Sequence, residues 1–349
     1  MSHVELVHYF ESYASTFDID VRVGHNVTKV GHDGRQAGFA VEANSDAGTE
    51  QFESPYVVIA SGIAHQPKIP SIASKLPDDI AQLSTGTYRS PAQLPDGSVL
   101  VVGGGQSGGQ IGEDLLGADR EVYFSTSKVG RVPRRYRGAD FMYWMLELGI
   151  WDLPTNQVDA EVILATNPLT SGVGPRGHTI SFQQLAFDGA QLMGRLLDVE
   201  NGIVKADDLG IEYLTFSDEF SADLKHKIDE HIAKEGIDAP DAETDSADND
   251  RSHFPKIQFV TELDLEAADV RTVIWCTGFS ADFSWIDLPV TDAVGMPIHK
   301  EGVSEVPGLY FIGFPWLASR KSGVIFGIGE DAERIAADIG GKSERSHSD

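Results

Sequence analysis

The sequence is poor in cysteine and in positive charge. One of its 349 residues is a cysteine, Cys276, so the chain can form neither an internal disulfide nor a dithiol redox pair. This excludes the reductase chemistries that need two thiols. Lysine and arginine number 27 against 54 aspartates and glutamates, which gives a net charge of −27. Because nucleic-acid binding needs clustered basic residues, this balance disfavours a nucleic-acid partner.

Long apolar runs and metal-ligand patterns are also missing. No run of 18 apolar residues occurs, so we expect no membrane span. The first residues, MSHVELVHYFESYASTF, lack the features of a signal peptide, and we expect a cytoplasmic protein. The 11 histidines are scattered without ligand spacing, which predicts no metal site. Acidic residues spread along the whole chain favour a salt-adapted (halophilic) source organism.

A glycine-rich segment, VLVVGGGQSGGQIGEDLL (residues 99–116), joins an apolar strand pattern to a helix pattern. Its G-x-G-x-x-G glycines would permit a tight turn, close approach of a pyrophosphate, and close packing of helix on strand. The helix start would offer free N–H groups to the phosphates. The segment predicts a dinucleotide site formed by Gly103, Gly105, Gln106, Ser107 and Gly108.

The next strand pattern, EVYFST (residues 121–126), indicates which dinucleotide is bound. NAD sites usually end this strand in a carboxylate, and none is present here. Lys128, Arg131 and Arg134 follow instead, and guanidinium groups suit a 2′-phosphate. We therefore predict NADPH rather than NADH, the alternative being a set of solvated surface arginines.

Two further stretches match each other: VVIASGIAHQPKIP (residues 57–70) and VIWCTGFSADFSWI (residues 273–286). Each is a buried strand pattern that ends in a small residue, a hydroxyl residue and a glycine. The glycines are Gly62 and Gly278. In flavoproteins with two dinucleotide sites, such strands join the FAD domain to an inserted NADPH domain.

With these stretches the chain resembles the flavin-containing monooxygenase superfamily, and more closely its bacterial and archaeal FAD-dependent oxidoreductases, some of them described as potassium-transport flavoproteins. The similarity also covers TYRSPAQLP, VGRVPRRYRGADF and VPGLYFIGFPWLASRKSGVIFGIGEDA. It implies an α/β fold with a Rossmann-like NADPH domain inserted in an FAD domain. The FAD domain would comprise residues 1–97 and 270–340, the NADPH domain residues 98–269 with an acidic loop at 236–252, and the disordered tail residues 341–349.

The resemblance also implies a chemistry. NADPH would reduce FAD, and the reduced flavin would react with O2 to oxygenate a small organic substrate. Residues 311–332 would lie along the flavin, and we expect four of them near it: Gly313, Phe314, Lys321 and Gly323. For Phe314, plain core packing is the alternative.

The chain departs from the family pattern in two places. The family begins with a βαβ unit that carries its own glycine turn for FAD, and only one turn of this kind is present, so we expect a truncated, N-terminally incomplete FAD domain. Ser84 stands where a histidine of a family fingerprint is expected. The alternatives are therefore a flavin reductase without oxygenation, a non-enzymatic NADPH-binding remnant, or half of a split flavoprotein completed by a partner chain. A homodimer also remains open.

Overall fold

The computed structural model describes residues 3–346 apart from positions 33, 35–37, 160–162, 164–167, 173–176 and 249–256. Within these residues the helices are α1 His3–Thr16, α2 Gln106–Gly117, α3 Phe141–Glu147, α4 Phe182–Phe187, α5 Gly210–Glu235 and α6 Ile328–Ser346. No helix in this part of the chain has both the length and the apolar character of a membrane-spanning segment. Short 3-10 helices cover Ser71–Lys75, Pro91–Gln93, Thr155–Gln157, Ser246–Asp248 and Arg320–Gly323.

The strands of the described residues follow in chain order. They are β1 Asn26–His32, β2 Phe39–Ser45, β3 Gly48–Ser54, β4 Val57–Ile59, β5 Gln66–Pro67, β6 Ala81–Ser84, β7 Ser98–Val102, β8 Val122–Ser125, β9 Gly130–Arg131, β10 Arg135–Tyr136, β11 Ala139–Asp140, β12 Leu169–Thr170, β13 Gln191–Met193, β14 Leu196–Glu200, β15 Ile203–Ala206, β16 Glu262–Asp264, β17 Val270–Trp275, β18 Phe279–Ser280, β19 His299–Lys300, β20 Val303–Ser304 and β21 Leu309–Phe311.

The larger of two compact units, Gly62–Ala281 with Phe314–Gly327, is built on a five-stranded parallel sheet in the order β13-β8-β7-β17-β6. Every residue of β7 is buried, as is typical of a parallel strand covered on both faces. Its alternate residues enter two different cores. Val99 and Val101 pack with α2 and α4, whereas Leu100 and Val102 pack with the antiparallel β14-β15-β16 sheet.

The smaller unit comprises Met1–Ser61, Asp282–Gly313 and Ile328–Asp349. It contains an antiparallel β1-β2-β3 sheet and a β19-β20-β21-β4 sheet in which β21 and β4 run parallel. Phe39 and Phe311 are buried, and so is Ile335 of α6. The apolar side chains of α1, by contrast, stand about half exposed.

The strands and the helix predicted around the glycine turn are present, but two segments of the chain differ from their sequence pattern. Apolar and polar residues alternate from 19 to 30, as is typical of a strand, yet β1 begins only at Asn26. The preceding apolar residues stay exposed, because alternation stabilises a strand only where one face is buried. The predicted tail is helical as far as Ser346, since paired glycines lower helix propensity by about 1 kcal/mol each without ending a helix. Residues 347–349 lie outside the described residues.

The unit boundaries also differ from the predicted domain boundaries. Residues 62–97 and 270–281 were expected in the FAD domain. In the larger unit, however, β17 pairs with β7, the strand of the glycine turn, and β6 pairs with β17. A continuous apolar run predicts a buried strand, but its sheet neighbours depend on distant segments. Sequence alone therefore could not assign β17 to this sheet. Of the predicted acidic loop at 236–252, residues 249–252 lie outside the described residues.

Candidate dinucleotide site

The three fingerprint glycines have different surroundings. Gly103 adopts φ +111°, and a Cβ placed on it would lie 2.4 Å from the carbonyl oxygen of Cys276. A Cβ on Gly108 would lie 1.8 Å from the carbonyl oxygen of Gly103. A Cβ on Gly105, in contrast, would meet only the Pro168 side chain, at 3.3 Å. The first and third glycines are thus required by contacts with the protein's own backbone, whereas at the second a Cβ would press on one side chain, which would have to shift slightly.

The start of α2 has no side-chain cap among the described residues. Gly105 is the N-cap residue, and no described side chain accepts a hydrogen bond from the first turn. The Gln106 side chain, expected at the pyrophosphate, donates instead to the Ser171 carbonyl at 3.1 Å and accepts from the Ser171 N–H at 2.8 Å. Gln106 therefore fixes the neighbouring loop, and what it can offer a phosphate is its backbone N–H.

A cavity of about 650 Å³ opens at the carboxyl ends of the parallel strands, where α/β sheets bind ligands. Of the sequence-predicted residues, Gly103, Gly105, Gln106, Ser107 and Gly278 line it, and Gly108 does not. Its wall is completed by residues that follow β6, β8, β13 and β17 and by the Lys68–Ile72 segment. These are Lys68, Pro70, Ile72, Thr85, Val102, Gly104, Ser125, Thr126, Ser127, Pro168, Arg195, Leu196, Cys276, Thr277 and Phe279.

Arg131 does not line this cavity, contrary to its predicted contact with a 2′-phosphate. Its side chain is 3% exposed, and its two terminal nitrogens lie 2.7 Å from an oxygen of Asp218 and 3.0 Å from one of Asp248. Burial disfavours a charged Asp248, but Lys225 and Arg131 outweigh it and lower the pKa of that carboxyl. The Arg131 guanidinium thus stabilises the fold through a buried ion pair.

The other two predicted phosphate ligands also lie outside the cavity lining. Arg134 forms an ion pair with Asp140 at 2.9 Å. The Lys128 ammonium lies 5.2 Å from the centre of the Phe216 ring, as in a cation–π contact. The three basic residues are close in the sequence but contact different partners: Arg131 and Arg134 pair with carboxylates, and Lys128 lies over an aromatic ring.

Arg195 is an arginine of the cavity lining that the sequence did not indicate. It follows β13, which lies beside β8 in the parallel sheet, so it reaches the same edge as Ser127. Its side chain is 68% exposed, and its Nε stands 3.9 Å from Asp207, too far for a hydrogen bond. In the sequence it is a lone arginine, and only the pairing of β13 with β8 brings it to the cavity.

The cysteine beside the glycine turn is a packing residue. Cys276 lines the cavity, and burial raises the pKa of its thiol to about 12. The thiol therefore stays protonated near neutral pH. A protonated, buried thiol is a poor nucleophile.

Three predicted glycines adopt the left-handed conformation that favours glycine. Gly62 has φ +69°, Gly278 has φ +86°, and Gly313 has φ +77°. Gly278 lines the cavity. Gly313 follows β21, at the carboxyl end of the parallel pair that β21 forms with β4.

The remaining predicted residues lie in the Phe314–Gly327 segment of the larger unit. Phe314 is 3% exposed, which favours the core-packing alternative. The Lys321 ammonium lies 2.6 Å from a carboxylate oxygen of Asp152. Gly323 packs against Pro315, since a Cβ there would lie 2.8 Å from the Pro315 nitrogen.

Comparisons with known proteins agree with the predicted resemblance. A family model described as L-lysine 6-monooxygenase/L-ornithine 5-monooxygenase matches residues 1–137. An uncharacterized CzcO-like oxidoreductase of Geobacillus kaustophilus is 31% identical over 96% of this chain and 77% of its own length. The CzcO oxidoreductase of Bacillus subtilis is 29% identical over 97% of this chain and 79% of its own length.

The fold is that of flavin monooxygenases. The ornithine N-hydroxylase of Kutzneria sp. 744, solved with reduced FAD, NADP+ and L-ornithine, superposes with a TM-score of 0.59 at 14% identity. That superposition covers 98% of this chain and 77% of the hydroxylase. The chain thus belongs to the family of CzcO-like oxidoreductases and has the fold of flavin monooxygenases. It is an enzyme of the oxidoreductase class.

Replacing Arg131 by glutamine should destabilise the protein, because Asp218 would lose its buried partner. We expect a loss of about 3 kcal/mol in the free energy of unfolding. The matched control is Arg134→Gln, whose partly exposed ion pair should contribute less than about 1 kcal/mol. Urea unfolding of both variants measures the difference, and equal losses would contradict the structural role of Arg131.

Proposed function

We propose that this protein is an NADPH-dependent flavoprotein oxidoreductase of the monooxygenase type, with the nicotinamide dinucleotide bound in the cavity at the glycine turn. The observation that carries the proposal is the start of α2, which lies at the cavity and has no side-chain cap among the described residues. Backbone contacts explain the glycines at 103 and 108, whereas Gly105 lines the cavity, where a glycine would let a pyrophosphate approach the backbone. A small organic molecule would be the substrate, with O2 as the co-substrate.

The dinucleotide would be held by groups of two kinds. Backbone N–H groups of Gln106 and Ser107, at the positive end of the α2 dipole, would bind the pyrophosphate. Ser127 and Arg195 would bind the 2′-phosphate at the neighbouring strand ends. In this assignment Arg195 takes the place that the sequence predicted for Arg131 and Arg134.

The flavin is supported by different observations. When bound, FAD would accept a hydride from NADPH and pass electrons to O2. The parallel β4 and β21 strands provide a carboxyl edge of the kind at which α/β sheets hold cofactors, and Gly313 there permits close backbone approach. The described residues of the smaller unit contain no glycine turn of the βαβ type, so we assign no residue to the FAD pyrophosphate.

Arg195→Gln should weaken NADPH binding selectively. Loss of a charge-assisted contact to the 2′-phosphate should raise the Kd for NADPH at least about tenfold and leave that for NADH within about twofold. Fluorescence titration of the protein with each nucleotide measures the two Kd values.

The control for this titration is Arg134→Gln, which removes an arginine that is already paired with a carboxylate. It should leave the ratio of the Kd for NADPH to the Kd for NADH unchanged. An equal loss for both nucleotides in Arg195→Gln, or a selective loss in the control, would refute the assignment of Arg195.

The visible absorption spectrum tests the function itself. We expect protein purified in high salt and supplied with FAD to show a flavin spectrum that bleaches when NADPH is added without air. Readmission of air should restore the colour. A protein that binds NADPH yet never retains flavin would instead support the non-enzymatic alternative.

A further inference from the structure

One arginine of the larger unit lies close to two indole rings. The Arg320 guanidinium carbon is 5.9 Å from the ring centre of Trp151 and 5.7 Å from that of Trp316. All three residues belong to the same compact unit. Cation–π contact with both rings restrains the guanidinium. Its five N–H donors can still bind an anion.

Backbone hydrogen bonds hold this cluster in place. The N–H of Arg320 donates to the Leu153 carbonyl at 3.1 Å, and that of Lys321 to the Trp151 carbonyl at 3.1 Å. In the opposite direction, the N–H of Thr155 donates to the Ala318 carbonyl at 2.9 Å. The two segments therefore form a ladder, and the positions of the rings and the guanidinium do not depend on the cation–π contacts alone.

The Arg320 charge has no counter-ion among the described residues. Its neighbour Lys321 is paired with Asp152, but no carboxylate lies within ion-pairing distance of Arg320. Burial lowers the pKa of Arg320, with no opposite charge to raise it. In a chain with 54 acidic and 27 basic residues, a half-buried guanidinium without a carboxylate partner stands out, because burying a charge is costly unless something pairs with it.

The surroundings of the cluster are apolar. The Phe326 ring packs edge-on against Trp151 at 5.5 Å and is 46% exposed, and Ile325 is 66% exposed. The Trp151 indole nitrogen is buried and finds no acceptor in the described part of the chain. A ligand that suits this surface has an anionic end for Arg320 and an apolar or aromatic body for the rings.

We propose that Arg320, Trp151 and Trp316 form a recognition site for the carboxylate of a small organic acid with an apolar body. That this acid is the substrate rests on the proposed oxidoreductase function, whereas the binding site itself does not. A carboxylate can accept two parallel hydrogen bonds from one guanidinium, and this pairing would supply the missing counter-ion.

The test uses two probes of nearly the same size and shape, one charged and one neutral: 3-phenylpropionate and its amide, 3-phenylpropanamide. Each is titrated into the complete chain while tryptophan fluorescence is recorded, since two tryptophans lie in the site. We expect the acid to bind at least about tenfold more tightly than the amide. In Arg320→Gln this preference should vanish, and in Arg320→Lys part of it should remain.

The matched control is Arg22→Gln. Arg22 also lies over an aromatic ring, 5.0 Å from the centre of Phe52, but it is already paired with Asp20. The control should keep the full preference for the acid. Two results would overturn the proposal: equal binding of acid and amide by the unaltered protein, or a preference for the acid that survives Arg320→Gln. The first of these results is obtained with the unaltered protein and does not depend on whether a variant folds. Because neither probe titration involves NADPH or flavin, failure of the cofactor assignments would leave this result unaffected.

Discussion

The close approach of the glycine turn to the end of β17 is the contact on which the site depends. The Gly103 N–H donates to the Ser125 carbonyl at 2.9 Å, and the Cys276 N–H donates to the Val102 carbonyl at 2.7 Å. The turn is thereby fixed to the strands on both of its sides. Because a Cβ at Gly103 would collide with the Cys276 carbonyl, any other residue there would separate β7 from β17. The shape of the cavity and the position of the α2 start both follow from this contact.

The scarcity of positive charge determines how the cations are used. In a chain of net charge −27, many lysines and arginines of the described part pair with carboxylates, as Arg131, Arg134 and Lys321 do. A cation without such a partner is therefore more informative here than in an ordinary protein. Among the described residues Arg320, beside its two indole rings, has no carboxylate partner. Arg195 at the cavity has only a long ion pair, 3.9 Å from Asp207, and its exposed guanidinium can still reach an anionic ligand.

The sequence predicted the features of the site that are local in the chain. The β7 strand, the turn and α2 are contiguous in the chain, and the spacing of the glycines indicates how strand, turn and helix are arranged. The roles of the arginines could not be predicted, because the partners of Arg131 stand 87 and 117 positions away, at Asp218 and Asp248. Arg195 was missed for the same reason, since its place at the cavity requires β13 to pair with β8.

A crystal structure of the chain with NADP+ tests the central claim most directly. The account predicts the pyrophosphate within hydrogen-bonding distance of the N–H groups of Gln106 and Ser107, against the bare Cα of Gly105. It also predicts the 2′-phosphate beside Arg195, with Arg131 still paired to Asp218. A nucleotide bound away from the α2 start, or a 2′-phosphate held by Arg131 or Arg134, would contradict it.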